Sequence, residues 1–136
     1  MQKYIVDTNF IVRYLLADNK DHYTQAKAVF DQVRDGKAQV KLEQVVFVEV
    51  IFVLSSFYDI PKEKIIDTMH SFLSYKGLDT EKYLLGMALD IYRNHNIHIV
   101  DSIIVARSKL DNTPVTVLTF DKKLDKILRT CLHRIV

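Results

Sequence analysis

Three aspartates in this sequence each follow a short apolar segment that has the composition of a buried strand. Asp7 follows YIV, Asp101 follows IHIV and Asp121 follows VTVLTF, and a helix is predicted directly after each of them. In open parallel sheets, ligands bind in the crevice at the carboxyl ends of the strands, so the pattern predicts that the three carboxylates share one crevice. Each aspartate taken singly could instead be only a helix N-cap, because Asp is among the residues preferred at that position.

Glu49 cannot be explained as a cap. It is the single acid in VVFVEVIFVL, residues 45–54, and this apolar run is too long for a typical strand, so we predict a mostly buried helix there. Two structural explanations stay open: an exposed stripe of the helix, or a buried ion pair with Lys or Arg, because an unpaired buried carboxylate is costly. The functional explanation is that Glu49 joins the three aspartates at one site.

Four carboxylates at one site repel one another unless a cation lies between them, and oxygen ligands favour Mg²⁺ or Mn²⁺. An ion of this kind, bound beside water and phosphate groups, promotes phosphodiester hydrolysis, which is therefore the predicted reaction. The pattern His95-x-x-His98-x-x-Asp101 is an alternative that would suit zinc, although no cysteine lies nearby. The chain has no G-K-[ST] phosphate loop, GxGxxG motif or Ser-His-Asp order, which argues against nucleotide triphosphate motors, dinucleotide binding and acyl transfer.

Short β-branched segments alternate with helical segments along the chain. The predicted strands are KYIV, AQVKLEQ, IHIV (a strand or only an extended lead-in), PVTVLTF and the closing HRIV. The predicted helices are FIVRYLL, residues 23–33, VVFVEVIFVLSSFY, a segment starting at Pro61, one starting near Asp79 or Thr80, SIIVARSKL, which Asp101 is placed to cap, and LDKIL. This alternation predicts an α/β fold with a mainly parallel sheet covered by helices. The length, without an internal repeat or a composition break, predicts one domain spanning residues 1–136.

The composition limits the class of protein only loosely. The net charge of +2 permits a polyanionic partner without requiring one. Basic residues are concentrated in residues 121–136, which hold five of them against two acids. The single cysteine, Cys131, cannot form an internal disulfide, so we expect a reduced, cytoplasmic location. We expect neither a secretory signal nor a membrane span.

Four segments in order, YIVDTNFIVRYLL, VFVEVIFVLSSFYDIPKEKI, HIVDSIIVARSKL and VTVLTFDKKLDKI, resemble the PIN-domain family of metal-dependent ribonucleases. The chain is most similar to the toxin component of VapBC-type toxin–antitoxin pairs. The resemblance implies a PIN-like three-layer fold, with a mainly parallel central sheet flanked by helices. It also implies a site for Mg²⁺ (or Mn²⁺) in which Asp7 and Asp101 are the principal ligands. Glu49 and Asp121 would complete that site directly or through water.

The same resemblance implies supporting roles for two polar residues. Asn9 and Thr119 would orient a ligand or a water molecule as supporting polar residues. Arg13, Lys122 and Lys123 lie beside two of the proposed site acids in the sequence and are candidates for holding substrate phosphates. The alternative is that these basic residues serve only solubility. The implied reaction is hydrolysis of RNA that leaves a 5′-phosphate and a 3′-hydroxyl.

The resemblance also implies protein partners: a cognate antitoxin that binds apolar grooves, and a second copy of the chain in a homodimer. The apolar faces of residues 8–16 and 45–58 are the candidate surfaces. Two other functions compete. One is another Mg²⁺-dependent phosphohydrolase, such as a haloacid-dehalogenase-like phosphatase, and that family would require a second Asp where Asn9 stands. A catalytically silent PIN-like module that only binds RNA or protein would have little reason to keep four acids, since they repel a polyanion.

Overall fold

The computed structural model describes residues 1–135, and the side-chain surroundings of residues 1–130. The elements in chain order are β1 (Gln2–Ile5), α1 (Thr8–Leu16), α2 (Lys20–Arg34), β2 (Ala38–Lys41), α3 (Gln44–Phe52), a π-helical turn (Val53–Phe57), α4 (Lys62–Leu73), β3 (Leu78–Asp79), α5 (Lys82–Asn94), α6 (Ile99–Leu110) and α7 (Lys122–Ile135). They fall into two compact units, the first covering Met1–Lys82 and the second starting at Tyr83.

The first unit contains a parallel sheet with the strand order β1-β2-β3. Tyr4 lies beside Val40, and Val40 in turn lies beside Leu78. Parallel neighbours need long crossover connections, and helices supply them here: α1 and α2 connect β1 to β2, while α3 and α4 connect β2 to β3. All three strands therefore end at the same edge of the sheet, and Asp7 lies just beyond the end of β1.

The core of the first unit is built by the apolar faces of its helices and by β2. α2 shows why the spacing in the sequence predicts a helix: its buried residues Ala26, Phe30 and Val33 recur every three or four positions. Asn19 caps this helix by accepting a hydrogen bond from the backbone N–H of His22 at 3.0 Å. The Phe30 ring packs edge-on against Phe72 of α4 with 5.4 Å between the ring centroids. Burying a side chain of this size contributes about 1.5–3 kcal/mol.

Gly77 fixes the start of β3. A Cβ at this position would lie 1.9 Å from the carbonyl oxygen of Ala38 and 2.9 Å from that of Val33, so no larger residue fits without moving the backbone. The close approach is held by a hydrogen bond from the Gly77 N–H to the Val33 oxygen at 2.7 Å. This contact joins the end of α2 to the edge of the sheet.

The second unit consists of α5, α6 and α7, and α6 contacts α7. The buried side chains in these helices include Leu85, Ala88 and Leu89 of α5, Val105 and Ala106 of α6, and Leu124, Ile127 and Leu128 of α7. No helix within residues 1–135 is long and apolar enough to cross a membrane.

The predicted fold class, an α/β fold with a mainly parallel sheet and flanking helices, is confirmed. Two of the predicted strands, PVTVLTF and HRIV, are wrong, and so is the strand alternative for IHIV. Residues 114–119 of PVTVLTF have no regular secondary structure, IHIV runs into the first turn of α6, and residues 133–135 of HRIV belong to α7, while Val136 lies outside the described residues. β-branched residues favour an extended backbone, but a strand also needs a neighbouring strand to bond, and a local pattern does not provide one.

Candidate active site

Asp7 is both a helix cap and an exposed carboxylate. Its backbone is extended (φ −90°, ψ 173°), and its Oδ1 accepts a hydrogen bond from the backbone N–H of Phe10 at 2.9 Å, which caps α1. Within the described part of the chain, its other carboxylate oxygen accepts no hydrogen bond. The capping explanation for Asp7 is therefore correct, and it still leaves one oxygen directed at solvent or a ligand.

A cavity of about 410 Å³ opens beside the start of α1, and we call it the acidic cavity. Its lining residues come from two helical segments: Asp7, Thr8, Asn9, Val12 and Arg13 at α1, and Glu49, Val53, Phe57 and Tyr58 at α3 and the π-helical turn. The structure thus brings together four of the residues predicted for the site: Asp7, Asn9, Arg13 and Glu49.

Glu49 lies on the side of α3 that faces away from the core. Its neighbours Phe47, Val50 and Ile51 are buried, whereas Glu49 itself is exposed. Val45 and Phe52 are exposed on the same side of the helix, at 76% and 64%. Of the two structural explanations for Glu49, the exposed stripe is therefore correct, and this stripe borders the acidic cavity.

Arg13 is tied to neighbours in the first unit. Its Nη1 donates to both carboxylate oxygens of Asp18, at 2.8 and 2.7 Å, and its Nη2 donates to the Tyr58 hydroxyl. The hydrogen bond with Tyr58 and the charge of Asp18 raise the pKa of Arg13 above its ordinary value. Its side chain is only 17% exposed, and its buried Nε has no hydrogen-bond partner among the described residues. Arg13 is thus a positive group fixed in the wall of the acidic cavity.

The π-helical turn places Tyr58 where it can reach Arg13. The Tyr58 backbone N–H donates to the carbonyl of Val53 at 3.2 Å, one residue further back than in an α-helix. Asp18 reaches Arg13 because Ala17 ends α1 in the left-handed conformation (φ 53°, ψ 31°) and turns the chain back. Asp18 is a site residue that the sequence does not predict, because no local pattern indicates an alanine in the left-handed conformation.

The remaining predicted site acids belong to the second unit. Asp101 lies in the first turn of α6, where a negative charge is favourable, but the N-cap is His98, so the expectation that Asp101 caps the helix is wrong. The helix begins three residues earlier than predicted because Ile99, which is 6% exposed, is buried as part of it. The His98 carbonyl accepts from the Ser102 N–H at 3.0 Å and from the Ser102 hydroxyl at 3.1 Å.

Asp121 caps α7 as the sequence predicts. Its Oδ1 accepts from the backbone N–H groups of Lys123 at 2.9 Å and Leu124 at 3.1 Å. The Thr119 hydroxyl accepts from the Asp121 N–H at 3.0 Å, so Thr119 fixes the backbone of this acid. Lys122 is exposed beside it, as is Lys123.

Three of the residues that line the acidic cavity carry oxygen donors suited to a metal ion. Asp7 and Glu49 offer carboxylates and Asn9 offers an amide oxygen, a donor set that fits a hard divalent cation such as Mg²⁺ or Mn²⁺. Within either unit of the described chain, no three Asp, Glu, His or Cys side chains lie close enough together to hold a metal ion. The convergence of all four acids stays a prediction.

Comparison with protein families gives a match to the PIN domain over residues 4–129, and the chain belongs to this family. The match runs through both units. PIN domains are generally metal-dependent nucleases, they bind RNA, and the family is often found in toxin–antitoxin systems. Comparisons with curated proteins and with solved structures gave no match.

Proposed function

We propose that this PIN domain, taken as a single domain over residues 1–136, is a Mg²⁺- or Mn²⁺-dependent endoribonuclease. One observation carries the proposal: Asp7 and Glu49, from two separate elements, line one cavity together with Asn9. Neither carboxylate forms an ion pair within the described residues. Two such groups beside each other favour the binding of a cation.

The proposed roles follow from the position of each group. Asp7 is held by its hydrogen bond to Phe10, so that its second oxygen is already oriented when the ion binds. Glu49 supplies a carboxylate from α3, and Asn9 orients a ligand or a water molecule. The bound ion would lower the pKa of the attacking water and offset the negative charge of the phosphate.

Five more residues are proposed for the same function, three by their match to the family's motifs and two by their place beside Asp121 in the sequence. Asp101 and Asp121 would complete the metal ligands, and Thr119, whose hydroxyl accepts a hydrogen bond from the Asp121 N–H, would support Asp121. Lys122 and Lys123 would bind phosphates of the RNA, for which their exposed ammonium groups suit them.

We further propose that the chain is the toxin of a cytoplasmic toxin–antitoxin pair. The exposed apolar side chains Val45, Phe52 and Phe57 support a protein partner, since exposed apolar groups concentrated on one surface are a feature of interaction sites. The partner would be a cognate antitoxin, and the same surface is a candidate for homodimer formation. Both expectations rest on the family resemblance.

The test is cleavage of RNA by the purified, partner-free protein with Mg²⁺ or Mn²⁺. We expect the parent to cleave, and Asp7→Asn and Asp101→Asn to lose cleavage. Glu43→Gln is the matched control, because Glu43 is an exposed acid at the start of α3 that does not line the acidic cavity. No cleavage by the parent with either metal, or parental rates in both variants, would overturn the nuclease proposal. Tight RNA binding without cleavage would instead identify a catalytically silent module.

A further inference from the structure

A second cavity, of about 230 Å³, adjoins the acidic cavity. Asp7, Asn9 and Arg13 line both of them, so the two cavities meet at the N-terminal half of α1. The second cavity continues toward α2, where His22 and Gln25 form its far wall, and we call it the polar cavity. The candidate metal ligand Asp7 therefore lies between two adjoining spaces.

The two outer walls differ in chemistry. Phe57 and Tyr58 form the outer wall of the acidic cavity, and Phe57 is 79% exposed. An exposed aromatic ring is a surface on which an unpaired base can stack. In the polar cavity, His22 and Gln25 are exposed and stand three positions apart on α2, so they lie on the same face of the helix. They offer hydrogen-bonding groups without a fixed negative charge.

Arg13 stands between the two walls. Its guanidinium is held from both sides, by Asp18 and by Tyr58. The positive charge of this fixed guanidinium would attract a phosphate placed where the two cavities meet. The order along the two cavities is thus an aromatic wall, a centre with acids and one fixed cation, and a polar wall.

We propose that a single strand of RNA crosses the N-terminal half of α1 and occupies both cavities at once. The proposal rests on the proposed nuclease function and adds the path of its substrate. The nucleotide on one side of the scissile phosphate stacks on Phe57. The nucleotide on the other side forms hydrogen bonds with His22 and Gln25, and the phosphate between them lies beside Asp7 and Arg13.

The experiment compares the double variant His22→Ala, Gln25→Ala with Phe57→Ala on RNA oligonucleotides that carry one cleavage site. The oligonucleotides are shortened one nucleotide at a time from either end. We expect the double variant to lower kcat/KM roughly tenfold on the full-length RNA, as the loss of hydrogen bonds implies. The double variant should have no effect on kcat/KM for RNA that lacks the nucleotides on the side of the cut that contacts His22 and Gln25. Phe57→Ala should also lower kcat/KM on the full-length RNA, and it should have no effect on RNA that lacks the nucleotides on the side that stacks on Phe57.

The matched control is Thr24→Ala, Gln32→Ala, which removes two exposed polar side chains of α2 that line neither cavity. Loss of kcat/KM by the same factor on every length of RNA, or no loss on any, would overturn the proposed path. Binding of the same single strands, followed by fluorescence anisotropy, separates the two proposals. If the parent binds but does not cleave, and the double variant binds more weakly than the control variant, the path stands and the nuclease function fails. If the double variant and the control variant bind the RNA equally well, the proposed path fails.

Discussion

Asp7, the N-cap of α1, and Glu49, inside α3, line the same cavity. One carboxylate is held by the start of a helix, and the other lies on the exposed side of a helix whose remaining faces are largely buried. Helix capping explains the position of the first and cannot explain that of the second. Their meeting at one cavity is what a site for a hard cation requires.

Two substitutions of Asp7 separate its capping role from its chemical role. Asp7→Asn keeps a good N-cap, so we expect the free energy of unfolding to change by only about 0.5 kcal/mol or less, while cleavage falls at least about a hundredfold. Asp7→Ala should lose cleavage as well and also lose about 1 kcal/mol of stability. Urea unfolding and initial cleavage rates measure the two effects. Cleavage at the parental rate by Asp7→Asn would contradict the role of Asp7 as a ligand.

Removal of divalent ions should abolish cleavage. After treatment with a chelator, we expect no product until Mg²⁺ or Mn²⁺ is restored, because the proposed function needs an ion at Asp7 and Glu49 that would lower the pKa of the attacking water. Circular dichroism before and after chelation checks that the fold survives. Activity that persists in a metal-free buffer would exclude a metal-dependent mechanism.

The Arg13 guanidinium should contribute to stability through its hydrogen bonds with Asp18 and Tyr58. Lysine cannot form both sets of bonds at once, so Arg13→Lys should lower the free energy of unfolding by about 1–3 kcal/mol. Arg34→Lys is the control, since Arg34 is 52% exposed and its ion pairs with Asp31 and Asp35 are long, at 3.6 and 3.7 Å. Its effect should stay within about 0.5 kcal/mol. Equal losses of free energy of unfolding in Arg13→Lys and Arg34→Lys would show that the contacts of Arg13 stabilise the fold no more than those of Arg34.

The hydroxyl pair of Tyr14 and Tyr75 gives a stability prediction inside the first unit. The two oxygens lie 2.6 Å apart. Tyr14→Phe and Tyr75→Phe should each cost about 0.5–1.5 kcal/mol, and the double variant should cost less than the sum, because both changes remove the same hydrogen bond. A double-mutant cycle by urea unfolding measures the coupling. Strictly additive losses would show that the hydroxyls do not interact.

The pH dependence of stability should report on Tyr14. Burial raises the pKa of Tyr14 above its ordinary value of about 10, and the hydrogen bond with Tyr75 raises it further. A raised pKa means that the folded state favours the neutral phenol of Tyr14. The resulting stabilisation of the fold is complete below the pKa of Tyr14 in the unfolded chain, and it is lost as the pH rises above about 10. The stability advantage of the parent over Tyr14→Phe should therefore shrink between pH 9 and pH 11. An advantage that stays constant over this range would contradict the burial of this hydroxyl.

Local chemistry in the sequence was sufficient to predict much of the first unit. Helix α2 followed from the spacing of Ala26, Phe30 and Val33, and the cap at Asp7 followed from its place after a strand. The helical environment of Glu49 was predicted because its apolar segment is too long for a strand, and α3 confirms it.

The features that the sequence did not predict depend on contacts between distant positions or on backbone geometry. The bond between Arg13 and Tyr58 needs the π-helical turn, and the ion pair between Arg13 and Asp18 needs a left-handed Ala17. The strand predicted for PVTVLTF was wrong because its β-branched residues specify an extended backbone but not a partner.

Binding of Mn²⁺, measured by isothermal titration calorimetry, tests most directly whether Asp7 and Glu49 serve one metal site. The parent and Glu43→Gln should bind Mn²⁺ with the same affinity. Asp7→Asn and Glu49→Gln should each weaken that binding at least about tenfold, as expected when a carboxylate ligand is replaced by an amide. If Glu49→Gln binds Mn²⁺ as tightly as the parent while Asp7→Asn does not, the two carboxylates do not share an ion, and the central claim is wrong.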